Sequence, residues 1–234
     1  MQQVSEATID YQIDNEASSS RIQYLNQNSN NSVNKESREK LVNWMLDSAS
    51  NFTSNPKVPQ LAVFYLDSFL NQKLVRDPKV LELIGIVSIN LALKIEVGNA
   101  FTPQCIKHIV SDRFSLNQIA TTEVFMLNCL EWKLLFHTPA EIARSLLEDS
   151  CEGNCSKIIE LADNYSALCL ADAELYTGGP LIIAISSICC SLQKLNLTKF
   201  QENWLLWVQE KTQVKPETIE NFKHFIYEKI KKFY

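Results

Sequence analysis

Apolar residues recur at three- and four-residue spacing through most of this chain, and that period predicts one helix after another. From Glu36 onward, Leu41, Val42, Met45, Leu46, Ala49 and Phe52 form one helical stripe, which Trp44 broadens. A second helix over 58–70 gathers Leu61, Ala62, Tyr65, Leu66, Phe69 and Leu70 on one face, after Pro56 and Pro59. A third, over 79–95, is apolar nearly all round, the mark of a helix enclosed by others. Thr102-Pro103 opens a fourth, with proline in the favoured first turn. Ser115 and Gln118 supply an N-cap and a capping-box partner for a fifth, which reaches about Leu130. The alternation then restarts. Thr138-Pro139-Ala-Glu141 opens a helix, and further helical stretches follow near 155–170, 180–194, 200–212 and 216–231, with Gly178-Gly179-Pro180 punctuating the middle pair.

No segment shows sustained two-residue alternation, so the expected fold class is all-α: two tandem groups of about five helices, each with its central helix most apolar. The 234 residues contain 46% hydrophobic positions with only 5 Gly and 7 Pro, enough for one or two packed domains and too few turn formers for a dense all-β fold. Residues 1–36 stand apart. Asn, Gln and Ser fill 17 of these positions, so the segment buries too little surface to offset its ordering entropy and is expected to be flexible. Within it, 20–25 is a candidate for a short docked helix. The expected division is a polar segment at 1–36, a first helical domain at 37–136 and a second at 137–234.

Net charge is −5, which removes any bulk attraction to nucleic acid or an anionic membrane. The longest apolar run, 83–93, is interrupted by Gly85, Ser88 and Asn90 and is shorter than the ~18 residues of a membrane span. The opening residues have neither the basic start nor the apolar stretch of a secretory signal, so an intracellular chain is expected, with its seven cysteines as reduced thiols. Cys151 and Cys155 have no nearby histidine to complete a zinc site, and His108, His137 and the cysteines are too scattered to support a nucleophile–base pair. No cofactor or metal is expected. Lys229-Ile-Lys-Lys232 reads as a solvated helix end.

The order of the first helical group carries a specific likeness. Ser37-Arg-Glu-Lys-Leu-Val-Asn-Trp44 resembles the opening of a cyclin box, and Leu61-Ala-Val-Phe-Tyr-Leu-Asp-Ser-Phe-Leu70 is similar to the second cyclin helix. The stretch from Leu81 to Glu96, ending Leu-Ala-Leu-Lys-Ile-Glu, resembles the third, and Leu130-Glu-Trp-Lys-Leu134 resembles the segment that closes the box. Thr138-Pro-Ala-Glu141, the stretch from Ala167 to Glu174 and Lys194-Leu-Asn-Leu197 look most like D-type, G1 cyclins. The resemblance covers about 37–230 and implies two cyclin folds.

It also implies a function. Cyclins are not enzymes; they bind a cyclin-dependent protein kinase as a heterodimer and reshape it. By match, Lys94 and Glu123 are the central polar contacts to the kinase regulatory helix, a lysine donating to carbonyls and a carboxylate accepting from amides. Leu91, Ile95, Leu127 and Leu134 are the matched apolar contacts around them, with Ile95 standing where Phe or Met is usual. Taken without the family pattern, Lys94 is a cation at a helix end and Glu123 a solvated charge.

Arg38 and Asp67 match a structural ion pair linking the first two helices, and Ser68 replaces the usual Arg that follows it. Leu41, Trp44 and Glu82 match a groove that docks substrates or inhibitors bearing an Arg-x-Leu motif. Lys40 replaces an apolar family residue there and opposes the motif's own basic residue. Leu127-Asn-Cys129-Leu-Glu131 spells Leu-x-Cys-x-Glu, but inside an apolar helix rather than an exposed strand. The expected role is kinase regulation in cell-cycle control, in nucleus and cytoplasm. The alternative is a transcription-factor-like or scaffold double cyclin fold that binds DNA or protein without activating a kinase, and the acidic charge gives DNA binding little support.

Overall fold

Asn34 starts the first helix. Its side chain accepts from the Ser37 N–H at 2.8 Å, while Ser37 Oγ accepts from the Asn34 N–H at 2.9 Å, so a serine completes the capping box. This computed structural model describes residues 22–25, 33–98, 102, 105, 113–150, 153 and 155–231. Among them the secondary structure is helical, with no strand.

Helix α1 spans Lys35–Ser50 and buries Val42, Met45 and Ala49 on the stripe the sequence marks. Phe52 lies beyond the end of α1 and is exposed, so the stripe stops one turn earlier than its spacing suggests. Helix α2 spans Lys57–Gln72, and α3 spans Pro78–Val97. The Asp77 carboxylate accepts from the Lys79 N–H at 2.9 Å, Pro78 occupies the first turn, and Gly98 ends α3 in the left-handed conformation at φ 71°. Helix α4 spans Leu116–Cys129 behind the Ser115–Gln118 capping box. Apart from Thr102 and Cys105, the helix expected from Thr102-Pro103 lies outside the described residues. So does most of the 1–36 segment.

Helix α3 forms the middle of this group. From Leu83 to Leu93 every residue is buried, and α2 packs along it. Gly85 permits α1 to approach closely: a Cβ there would sit 3.1 Å from Leu41 Cδ1 and 3.4 Å from the Met45 sulfur.

The second group begins where Thr138 Oγ1 accepts from the Glu141 N–H at 3.2 Å. Its helices are α5 Pro139–Ser150, α6 Ser156–Ala171, α7 Ala173–Tyr176, α8 Gly179–Lys194, α9 Thr198–Thr212 and α10 Pro216–Lys231. The four-residue α7 is too short to register as a period; it is held by the Asp172 carboxylate, which accepts from the Glu174 and Leu175 amides. Helix α8 is the buried centre, with Leu181, Ala184, Ile185 and Ile188 packed against Ile142, Leu147 and Trp204. Cys169, Cys189 and Cys190 are free thiols in this core, and burial pushes the Cys190 thiol up to about 12.

The chain divides into two compact units, one within 21–136 and the other within 137–234. No helix among the described residues is long and apolar enough to cross a membrane.

Candidate functional site

Three polar residues converge at the C-terminal end of α3. Asn90 is 3% exposed, and its Nδ2 donates to Glu123 Oε2 at 2.9 Å. One turn later the Lys94 ammonium pairs with Glu123 Oε1. Glu123, reaching from α4, therefore has both oxygens held by α3, Asn90 from the buried side and Lys94 from the solvent side. The side chain of Lys94 is 38% exposed and that of Glu123 only 16%. A charge-assisted contact that is part buried and braced by a neutral donor is held more firmly than a solvated ion pair. The structure brings Lys94 and Glu123 together, but as each other's partner rather than as two open groups.

The four apolar residues matched to the same site do not share one surface. Leu91 and Leu127 are buried, at 3% and 7% exposure. Ile95 is 40% exposed beside Lys94. Leu134 is half-buried, and its carbonyl accepts from the Tyr65 hydroxyl at 2.6 Å. Burial pushes the Tyr65 phenol well above its ordinary value, and the nearby Glu96 charge adds to that, so Tyr65 stays a donor. Glu96 in turn pairs with Lys57 at 3.1 Å, tying the end of α3 to the start of α2. The backbone turns after α4 through Glu131 and Trp132, at φ 51° and 59°. Leu127 and Cys129 of the Leu-x-Cys-x-Glu stretch are buried.

A second polar cluster underlies the first two helices. Arg38 is completely buried and grips Asp67 with both ends of its guanidinium edge, Nε to Oδ1 at 2.9 Å and Nη2 to Oδ2 at 2.8 Å. Tyr24, in a short 3-10 turn at Gln23–Leu25, adds a hydroxyl donated to Asp67 Oδ1 at 2.6 Å, and its backbone N–H donates to Asn71 Oδ1 at 3.2 Å. Tyr24 is 2% exposed.

The residues matched to a docking groove have local surroundings of their own. Leu41 and Trp44 are half-buried on α1. Lys40 pairs with Glu36 along its own helix at 2.6 Å, both side chains exposed, so its charge is partly answered locally. Glu82 is already occupied: both Arg113 terminal nitrogens reach its carboxylate, at 2.5 and 2.9 Å. Periodicity and family matching missed Asn90, Tyr24 and Arg113. Only Asn90 left a local signal, a polar residue inside an apolar run and one turn before Lys94. Among the described residues, no three His, Cys, Asp or Glu side chains group to hold a metal ion.

Residues 7–135 match the family described as "Cyclin, N-terminal domain". Among curated proteins, human G1/S-specific cyclin-D1 is 26% identical over 162 residues, covering 68% of this chain and 55% of that one. Its Xenopus laevis counterpart is 27% identical over the same shares. The match thus spans little more than half the length of these relatives. Among solved structures, a viral cyclin from herpesvirus saimiri superposes with a TM-score of 0.80 at 17% identity, over 95% of this chain and 97% of that one. The CAK complex of Chaetomium thermophilum bound to ATP-gamma-S gives a TM-score of 0.59 at 13% identity, over 97% of this chain and 75% of that chain. With more than half its length inside the domain match, the chain belongs to the cyclin family.

Proposed function

We propose that this chain is the regulatory subunit of a cyclin-dependent protein kinase, which it binds as a heterodimer and activates in G1-like cell-cycle control, in nucleus and cytoplasm. The observation that carries the reading is the Asn90–Glu123–Lys94 cluster: an ion pair at the open end of the central helix, fixed in place by a buried donor. Such a cluster presents a cation and a carboxylate at a fixed spacing. On docking, Lys94 meets carbonyls of the kinase regulatory helix and Glu123 meets its amides, each exchanging part of its present bond. Exposed Ile95 supplies apolar contact beside them. The G1-like assignment rests on the likeness to D1 cyclins. In this reading the chain comprises a polar segment over 1–36 and two tandem five-helix cyclin folds over 37–136 and 137–234. It has no catalytic activity of its own, and the ATP chemistry belongs to the kinase.

The test is capture of a cyclin-dependent kinase by the purified chain, with phosphorylation rate as the functional readout. Lys94→Ala and Glu123→Ala should each weaken capture by roughly thirty- to a thousandfold, the ~2–4 kcal/mol typical of a truncated charge-pair contact. Lys211→Ala, an exposed residue of the other unit, is the control. Capture without a rise in phosphorylation would favour the scaffold reading, and wild-type activation by both variants would remove the cluster from the mechanism.

A further inference from the structure

We propose that a groove between α2, α3 and α4 docks a short acidic peptide segment of a partner protein, anchored by one bulky apolar side chain. The groove encloses about 630 Å³. Phe69 and Ile84, both buried, form its floor. Leu74, Val80 and Phe125 form its walls at 53%, 43% and 50% exposure, three large apolar side chains that the packing of the helices leaves uncovered around one cavity. Apolar surface gathered in a concavity is a binding feature, whereas the same residues scattered singly would need no explanation. The wall is pre-arranged. Phe125 packs edge-to-face on Phe69 with ring centroids 5.8 Å apart, which fixes the aromatic face before anything binds.

The rim selects the partner's charge. Lys73 holds its ammonium 5.7 Å from the centroid of the Phe125 ring, and Arg76 lies exposed beside it. The third charged residue of the rim, Asp77, directs its carboxylate to the first turn of α3, where it caps the Lys79 amide. Two cations therefore face the groove in a chain whose net charge is −5, and the one nearby carboxylate is engaged elsewhere. Acidic residues flanking an apolar anchor complement that combination. On α3, Ile84 of the groove lies six residues before Asn90 and ten before Lys94, about 9 and 15 Å along the helix axis, and on α4 Thr122 of the groove neighbours Glu123. Occupation of one does not require occupation of the other.

The test uses a fluorescently labelled peptide library in which a single Leu, Phe or Trp is flanked by Asp and Glu, with matching Lys-flanked peptides, titrated against the full chain. Acidic members should bind, more weakly as salt rises, while their basic counterparts bind at least tenfold worse. Lys73→Glu/Arg76→Glu should invert that preference and leave kinase capture unchanged. Phe125→Ala and Leu74→Ala, both at exposed positions, should each weaken acidic-peptide binding by about tenfold without moving the thermal melt by more than a few degrees. Inversion of charge preference together with loss on removing the apolar wall establishes the site. Absence of binding by every acidic peptide overturns it. So does equal binding of acidic and basic peptides, or concentration-dependent dimerisation that Leu74→Ala abolishes, which would make the groove a surface for a second copy.

Discussion

The Tyr24 hydroxyl and the Arg38 Nε share one acceptor, Asp67 Oδ1, at 2.6 and 2.9 Å. Asp67 Oδ2 takes Arg38 Nη2, so three donors satisfy a carboxylate that is 1% exposed. A buried ion pair repays its desolvation only when its remaining lone pairs are also bonded. Tyr24 supplies one such bond, from a segment 43 residues away in the chain.

Tyr24→Phe keeps the ring and removes only that donor. It should cost about 1.5–3 kcal/mol, the usual worth of a hydrogen bond to a buried charge, and lower the melting midpoint by several degrees. Asp67→Asn, which strips Arg38 of its counter-charge, should cost roughly 3–5 kcal/mol. Denaturant melts of both variants check the order. Equal midpoints for wild type and Tyr24→Phe would show that the Tyr24 hydroxyl bond contributes no stability.

Gly178 is required by a neighbour rather than by its backbone, whose φ of −66° suits any residue. A Cβ at that position would lie 2.1 Å from Phe222 Cζ. Gly178→Ala should therefore destabilise by roughly 1–3 kcal/mol, as overpacking does. The Gly178→Ala/Phe222→Ala double variant should lose less than the sum of its parts, because the clash disappears with the ring. Gly153→Ala, with nothing within 4 Å, should melt like wild type.

Acid should weaken the second unit through Asp172. Burial alone pushes this carboxyl up, but the Lys229 hydrogen bond, the Leu175 and Glu174 amides and the Lys229 charge together hold it below its ordinary 3.8. A carboxyl depressed by folding stabilises the fold above its unfolded value, and that contribution is lost as pH falls through the folded value. Asp172→Asn should accordingly melt lower than wild type at pH 6. The gap should close as pH drops below about 4, which thermal melts across pH 6 to 3 would record.

What the sequence revealed divides along chain distance. Helix starts that depend on neighbours three residues apart, Ser115 with Gln118 and Thr138 with Glu141, were legible because both partners lie in one turn. The all-α class was legible because the period persists. The Asn34 cap was missed since Ser37, not an acidic or amide residue, completes it. Tyr24 on Asp67 and Arg113 on Glu82 were not legible, because separations of 43 and 31 residues carry no local pattern. Matching residue types singled out Leu91 and Leu127 but carried no measure of their depth, 3% and 7% exposure, because that depends on how closely neighbouring helices enclose α3 and α4.

Arg113 occupies the carboxylate that an Arg-x-Leu peptide would need. Its guanidinium is half-exposed, so its bond to Glu82 is worth only ~0.2–1 kcal/mol. Arg113→Ala should free Glu82 and strengthen binding of such a peptide by up to about fivefold. Trp44→Ala should weaken it. Peptide titration by fluorescence anisotropy decides, and an unchanged affinity in Arg113→Ala would mean that Glu82 does not contact the peptide.

Asn90 allows the structural role of the α3 cluster to be tested apart from the binding role proposed for it. Its Nδ2 fixes one Glu123 oxygen from inside the core, while Lys94 holds the other at the surface. Asn90→Asp places a second carboxylate beside Glu123 with no proton to share at neutral pH. It should destabilise by about 1–3 kcal/mol, and much of that loss should be recovered at low pH as one of the pair takes up a proton. Asn90→Leu removes the brace without adding charge, so the fold gains apolar contact as it loses a hydrogen bond, and the melting midpoint should move by only a few degrees. In the proposed complex, kinase capture should nonetheless weaken by about tenfold, because Glu123 is then free to rotate away from the position in which it would meet the regulatory helix. Restoring the donor with Asn90→Gln should recover less than half of that loss, since the longer side chain cannot place its Nδ2 equivalent at the same 2.9 Å geometry. Full kinase affinity in Asn90→Leu would show that Lys94 alone orients Glu123.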